Sequence, residues 1–595
     1  MFEGKRFRRG CLTLIAVALV TAMLGAFGLA SMSATAEPAN DPVTSDSTAT
    51  ITVTGLETGV IGKAYRYMTL KWKDEGDVHQ PVEPVYVFDD QVATWIQNSN
   101  NSSFKQYIGK NNAPTDTFRK LLHSDMRDFS DALLAAIAEG TVQLTEAGRG
   151  EEKSVAERAG EATEADESAG SSLVFTLQMG GYLIRLSNGS TCVYQPIASF
   201  IKPEWTNEGY KLKAETVNGA PGNNVEAKSK KITSTKTVTS KDEPDKIKTK
   251  AHSQIGDELN FMIKTPVPNY PQRTFNKKFG VKDQAQSGLT IKTSSIKVRI
   301  SDGEMLNSGS DYSVKTFDPD GGNKGQGFTI EFNSEQYEDK LTNAGEDGQE
   351  LIIEYEGELN EKAPVKGGVE NWAQALILKD NYDREGEYTE VGGRPSVTTV
   401  YTYGVELTKV DAEKETKKLK DAQFKLQWKP YKNPLHNGQR TEVKVKKKSD
   451  GIYIVDPKEG TPILTSGSNG QVRIDGLGAT GVYELVETKA PPGGYALPNN
   501  KPTTIDIRDE KKIGKDDSIT NEPDGIPDDT SAVGGWFIVK PDEHNRLTFN
   551  ITNKKADFRL PRTGAIGAVI FGVFGVVLIA VSVAVVAAHR RKARR

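Results

Sequence analysis

Three short segments in the last third of this 595-residue chain each place one reactive side chain where an apolar one is expected. Side chains alternate across a strand. In Val405-Glu406-Leu407-Thr408-Lys409, the face with Val405 and Leu407 also carries Lys409. In Tyr483-Glu484-Leu485-Val486-Glu487, the face with Tyr483 and Leu485 carries Glu487. In Leu547-Thr548-Phe549-Asn550-Ile551-Thr552-Asn553, the face with Leu547, Phe549 and Ile551 carries Asn553. Burying any of these alone is costly; burying all three together points to chemistry. Desolvation lowers the pKa of a lysine and raises that of a carboxylic acid. A neutral Lys409 amine is a nucleophile, and a protonated Glu487 can polarise the Asn553 carboxamide and move protons. Attack with loss of ammonia leaves a Lys–Asn isopeptide bond. Asn550 competes as acceptor but falls on the other face. The alternative is a buried salt bridge with no covalent bond.

An earlier region shows a similar pattern. Ile232, Ser234, Lys236 and Val238 share a face, as do Phe279, Val281 and Asp283, and Val369, Asn371, Ala373 and Ala375.

The last region resembles the collagen-adhesin B-type (CnaB) immunoglobulin-like domain. Leu407-Thr408-Lys409-Val410-Asp411 is similar to its first strand and Ile551-Thr552-Asn553 to its last. Residues 483–495, YELVETKAPPGGY, resemble the E-box of sortase-assembled pilins, with one extra residue before the final Tyr. Residues 283–289, DQAQSGL, and 371–375, NWAQA, resemble the isopeptide-forming middle domain of backbone pilins, as do 255–261 and 358–363. That resemblance implies Lys236 as nucleophile, Asp283 as acid and Asn371 as acceptor, with Lys231 and Lys241 as rivals for Lys236.

Leu560-Pro561-Arg562-Thr563-Gly564 is followed by an apolar run over residues 565–588 and a basic tail over 589–595. The run is long enough to cross a bilayer as one helix, with the cations on the cytoplasmic side. This order of parts resembles the LPxTG cell-wall sorting signal of Gram-positive surface proteins. It implies that a sortase thiol attacks the carbonyl of Thr563 and cuts before Gly564. Pilins of this kind also need an exposed lysine that attacks the sortase-bound threonine of another subunit. Residues 225–231, VEAKSKK, lie where that lysine is expected, and Lys228 is the choice. Ala227 replaces the usual Pro, so Lys230, Lys231 and Lys211 stay open.

The N-terminus carries Lys5, Arg6, Arg8 and Arg9, an apolar stretch over 11–30 and Ala34-Thr35-Ala36 before Glu37. These parts predict a cleaved secretory signal peptide over 1–36. Cys11 lies within it, leaving Cys192 as the lone, expectedly buried, thiol of the mature chain. A secreted chain of this length without a disulfide must be stapled otherwise or rely on its cores.

Short Thr/Val/Ile-rich alternating runs separated by Gly, Asn, Asp and Pro predict a mainly β fold of sandwiches, and the resemblance implies that these are tandem immunoglobulin-like domains of the CnaA/CnaB type. Examples are 50–54, 172–177, 182–186, 328–332 and 351–355. One helix is expected at about 115–138, capped by Thr115, with Phe118, Leu122, Met126, Phe129, Leu133 and Ile137 at helical spacing. Residues 148–170, rich in Glu, Ala, Gly and Ser, predict a solvated loop. The expected domains are 37–228, 229–402 and 403–556, followed by the sorting signal at 557–595.

Charge is balanced, net −4, with no basic stripe interleaved with aromatics, so nucleic acid is not an expected partner. Asp318-Pro319-Asp320-Gly321-Gly322 and residues 524–529 lack EF-hand spacing and read as turns. The six histidines are scattered, so no metal or cofactor is expected, and no enzyme fingerprint stands out. The resemblances together imply a backbone subunit of a surface pilus serving adhesion or colonisation, a substrate of sortase rather than an enzyme. Its implied partners are a pilus sortase, other copies of itself, minor pilins, peptidoglycan and a host or matrix ligand. A monomeric wall-anchored adhesin, or a tip or base subunit, is the alternative.

Overall fold

The computed structural model describes residues 42–121, 123–153, 171–216, 224–240, 248–301, 303, 305–318, 324–430, 440–479, 481–498, 502–509, 536–539, 546–556 and 563–592. The signal-peptide reading, Lys241 and residues 524–529 lie outside the described residues. The chain is mainly β and falls into three successive sheet assemblies with a helix at the C-terminal end.

In the first assembly, Thr48–Leu56 and Ser171–Gln178 pair antiparallel. They face a larger sheet ordered Gly209–Thr216, Ile197–Thr206, Gly180–Ser187, Ile61–Glu75, Val78–Phe88. The sheets pack closely at Gly62, where a Cβ would lie 2.7 Å from both Leu173 and Phe175. Residues 148–153, expected as part of a solvated loop, lie along the short strands Glu146–Arg149 and Glu151–Lys153. Their glycines have a packing reason: a Cβ on Gly148 would meet Leu177 at 2.7 Å, and one on Gly150 would meet Phe175 at 2.8 Å. The rest of that stretch, 154–170, is outside the described residues.

The expected helix divides. Thr115 caps Asp116–Arg119 by accepting from the Phe118 N–H, and a second helix covers His123–Ala138. The break lets both Phe118 and Leu121 turn inward. A further helix, Asp90–Gln97, also packs here. Its Val92, Trp95 and Ile96 join Phe118, Met126, Phe129 and Leu133 in an aromatic-rich core beside the larger sheet.

The middle assembly sets Thr235–Ser240, Glu258–Pro266, Glu350–Leu359 and Leu289–Ile300 in one sheet. The facing sheet is ordered Lys250–His252, Ser396–Tyr401, Val369–Ile377, Phe279–Gln286, Lys324–Phe332, Ser313–Phe317. The last assembly has one sheet ordered Val445–Ser449, Ile452–Val455, Gln471–Leu477, Tyr403–Asp411, Arg546–Asn553. Its second sheet contains Gln423–Pro430, Gly481–Lys489 and Thr503–Asp509. Val225–Glu226 pairs parallel to Thr48–Leu56, and Ser229–Lys231 pairs with Cys192–Tyr194.

The C-terminal helix, Thr563–Lys592, contains a 23-residue stretch, Val569–Arg591, whose most apolar 18-residue window has mean hydropathy 3.0 and no burial within the chain. It is long and apolar enough to cross a membrane.

Candidate functional site: two buried Lys–acid–Asn clusters

Among the described residues, Lys236 and Lys409 are two lysines held fully inside a β-sandwich, at 1% and 0% exposure. Each sits at the inward position of a strand whose neighbours on that face are apolar. Val405 and Leu407 precede Lys409 on the inward face of its strand, and Val238 follows Lys236 on the inward face of its own.

In the last assembly, Tyr403–Asp411 and Arg546–Asn553 lie side by side in parallel, with Lys409 opposite Ile551 and Asp411 opposite Asn553. Lys409 and Asn553 therefore come from neighbouring strands of one sheet, and Glu487 reaches them from the facing sheet. Lys409 Nζ lies 2.7 Å from Glu487 Oε2. Asn553 Nδ2 donates to Glu487 Oε1 at 2.8 Å and to the carbonyl of Ala496 at 3.0 Å. One carboxylate thus touches both nucleophile and leaving amide nitrogen. Burial pushes the Lys409 amine below the usual lysine range, against the opposing pull of Glu487. The Phe424 ring lies under the amine, 5.6 Å from its centroid. Asn550 points away from this cluster, on the exposed side of its strand.

The middle cluster is built differently. Lys236 comes from one sheet; Asp283 and Asn371 come from adjacent strands of the other, with Asp283 opposite Ala373 and Ala285 opposite Asn371. Lys236 Nζ is ion-paired with Asp283 Oδ2. Between Asp283 and Asn371 stands Tyr355. Its hydroxyl donates to Asp283 Oδ1 at 3.0 Å and accepts from Asn371 Nδ2 at 2.7 Å. Lys236, Asp283 and Asn371 are all essentially without solvent exposure. Desolvation brings Lys236 down to about 8 and pushes the Asp283 carboxyl up, in both cases against the attraction of the partner. Both shifts favour proton transfer from the ammonium to the carboxylate. Phe261 and Tyr355 stack at 5.2 Å and flank the amine, each 5.5 Å from it.

Both clusters leave the same atom unsatisfied. Asn371 Oδ1 and Asn553 Oδ1 are buried carbonyl oxygens with no hydrogen-bond partner. A buried acceptor left unpaired costs roughly 1–3 kcal/mol. Having it twice, on the carbon that a nearby amine would attack, is a specific arrangement. Sequence reasoning named the six residues of the two clusters but passed over Tyr355, which looks like an ordinary core aromatic. Its one sequence signal is its place on the inward face of a strand, Glu350–Leu359, opposite Phe261.

The lysines proposed for intersubunit linkage differ in freedom. Lys228 is exposed, and no partner for its ammonium is found among the described residues. Its backbone is pinned: the Ala227 N–H donates to the Thr54 carbonyl at 2.9 Å and the Gln195 N–H to the Lys228 carbonyl at 3.1 Å. Lys230 Nζ is held by the Gly348 carbonyl at 2.7 Å, and Lys211 is paired with Glu208 at 2.6 Å. Lys231 is exposed beside Cys192. Cys192 is half-buried rather than buried, on a strand paired with Ser229–Lys231, and burial pushes its thiol up. Leu560, Pro561 and Arg562 lie outside the described residues, and the helix begins at Thr563 and Gly564. Among the described residues no group of three or more His, Cys, Asp or Glu is placed to hold a metal ion.

Residues 404–522 match the family model of the SpaA prealbumin-like fold domain. No curated protein matches the chain. Among solved structures, the chain is similar to the T6 backbone pilin of serotype M6 Streptococcus pyogenes at 17% identity and TM-score 0.49, over 86% of this chain and 99% of that one. It is similar to the full-length major pilin SpaD of Corynebacterium diphtheriae at 18% identity and TM-score 0.42, over 87% and 100%. It is also similar to BcpA, the major pilin subunit of Bacillus cereus, at 17% identity and TM-score 0.33, over 66% and 89%. Residues 404–522, which hold Lys409 and Glu487, are thus similar to the SpaA prealbumin-like fold domain, and Asn553 lies beyond the matched stretch.

Proposed function

We propose that the chain is the backbone subunit of a sortase-assembled pilus on a Gram-positive surface, stapled internally by Lys409–Asn553 and Lys236–Asn371 isopeptide bonds. The observation that carries this reading is the repeated cluster of buried amine, acid and asparagine with an orphaned acceptor carbonyl. A buried ion pair is a weak stabiliser, because desolvation offsets its attraction. Conversion to an amide removes both charges and covalently joins the strands. The amine gives its proton to the carboxylate and attacks Cγ of the asparagine. The acid then returns a proton to the amide nitrogen, which leaves as ammonia.

Polymerisation uses different atoms. A pilus sortase would cleave between Thr563 and Gly564 and hold Thr563 as an acyl group; Lys228 of another subunit would attack it. The anchored backbone and free amine of Lys228 favour it over Lys230 and Lys211. The apolar helix would hold the subunit in the membrane until cleavage, and peptidoglycan would receive the finished fibre. The role is structural; the chain is a substrate of sortase and catalyses only its own cross-links.

Cell-wall extracts from the native strain, run on a denaturing gel, should show a high-mass ladder that disappears in Lys228→Ala. Absence of a ladder in the parent overturns the shaft role, and its persistence in Lys228→Ala overturns the choice of lysine.

A further inference from the structure

We propose that Tyr355 is a catalytic residue of the middle cross-link, a proton relay that the last cluster does not need. This rests on the isopeptide reading above. The two clusters differ in the length of their acid. Glu487 spans from Lys409 Nζ to Asn553 Nδ2 with its own two oxygens, at 2.7 and 2.8 Å. Asp283 is one methylene shorter. It pairs with Lys236 through Oδ2, and its other oxygen meets Tyr355 instead of the asparagine. The Tyr355 hydroxyl in turn touches Asn371 Nδ2, the atom that must leave. Tyr355 is buried, its ring packed against Phe261 and Phe328 at 5.2 and 5.0 Å.

The step balances as follows. Lys236 gives one proton to the Asp283 carboxylate and becomes a neutral amine. Nζ attacks Cγ of Asn371; a C–N bond forms and the carbonyl π pair moves to Oδ1. Nδ2, now tetrahedral, has a lone pair. The hydrogen-bond chain then reverses: the Asp283 carboxyl donates to the Tyr355 oxygen as the Tyr355 proton passes to Nδ2. Asp283 takes the extra proton from Nζ. The Oδ1 pair re-forms the carbonyl, the Cγ–Nδ2 bond breaks with its electrons on nitrogen, and ammonia departs. The amide is left beside a neutral Asp283, with atoms and charge conserved. Burial holds the Tyr355 hydroxyl far above the usual phenol range, so it stays protonated between transfers and acts only as a conduit.

The test is made on the full chain, produced in a host without sortases and extracted in detergent. Tryptic mapping then looks for the Lys236 peptide joined to the Asn371 peptide, and separately for the Lys409–Asn553 pair. In Tyr355→Phe, which keeps the ring packing, the first join should be lost or slowed at least tenfold while the second forms fully, an internal control for folding and secretion. In Tyr355→Phe/Asp283→Glu the longer acid should reach Asn371 directly, as Glu487 reaches Asn553, and restore the join. A Tyr355→Phe chain that joins Lys236 to Asn371 at the parental rate overturns the relay. So does a folded double variant that stays unjoined, because a packing role alone would then explain the loss. A parent chain with no join at either pair overturns the isopeptide reading itself, a distinct outcome.

Discussion

Two buried asparagine carbonyls that meet no donor are the residue-scale observation on which the proposed chemistry turns. Neither Asn371 nor Asn553 would be left so in a cluster selected only for stability, because an extra donor is cheap to supply. The six cluster residues were legible in the sequence because strand alternation makes a polar residue on an apolar face stand out. Tyr355 was not, because a tyrosine there fits the alternation and its hydroxyl announces nothing until its neighbours are known. The electrostatics give a prediction. In Asn371→Ala the cross-link cannot form, and Lys236 stays a buried amine that loses its proton at about 8, against 10.5 when exposed. Between those values the unfolded chain binds more protons than the folded one, so stability should rise as pH rises through that window. The gain is about 3 kcal/mol at most. It should vanish when Lys236→Met is added. Denaturant melts across pH 7 to 11 (~4 pH units, spanning the window) check it, and a flat difference between the two variants would refute the buried-amine account.

Elements decide how each cluster is closed. The turn after Gly481–Lys489 folds back so that Ala496 donates its N–H to the Lys554 carbonyl and offers its own carbonyl to Asn553. Tyr495, the final residue of the E-box, donates to Asp411 at 2.6 Å and accepts from Lys417 at 2.7 Å, which ties the turn to the end of the Lys409 strand. Strands and their inward faces followed from alternation, and the Thr115 cap from its side chain. The end of the first helix at Arg119 and the strands Glu146–Arg149 and Glu151–Lys153 did not. A glycine-rich, charged stretch reads as loop, yet Gly148 and Gly150 are there because the strand passes over Leu177 and Phe175. The bond from Lys409 to Asn553 would join the first and last strands of its sandwich, closing almost the whole domain as one loop. By the chain-entropy relation for a covalent staple, that is worth about 5 kcal/mol. Asn553→Ala should therefore lower the thermal transition of this domain sharply while leaving the middle one in place. Calorimetry that finds no change would show that the parent is not stapled there.

Across the whole molecule the domains are keyed together as well as linked. Tyr382, on a loop of the middle assembly, donates to the buried Asp131 of the first at 2.7 Å, and Arg185 pairs with Asp380 at 2.5 Å. Between the middle and last assemblies, Ile255 donates its N–H to the Gly476 carbonyl, and Lys448 pairs with Glu361. These keyed contacts join residues too far apart in sequence for any local pattern to reveal. The proposed covalent path would matter more under load. In a fibre joined from Lys228 to Thr563, tension would enter eight residues before Lys236, cross to Asn371, run to Lys409, cross to Asn553 and leave at Thr563. Everything before Lys228 hangs beside the path, and both sandwiches are bypassed. Single-molecule pulling on the full chain between cysteine handles, in a Lys228→Cys/Thr563→Cys/Cys192→Ser background, tests this. The parent should show no domain-sized release. Asn371→Ala should add one step of roughly 460 Å and Asn553→Ala one of roughly 490 Å, at ~3.4 Å per freed residue. A parent chain that releases either length carries its load through hydrogen-bonded strands, and the stapled path is then absent.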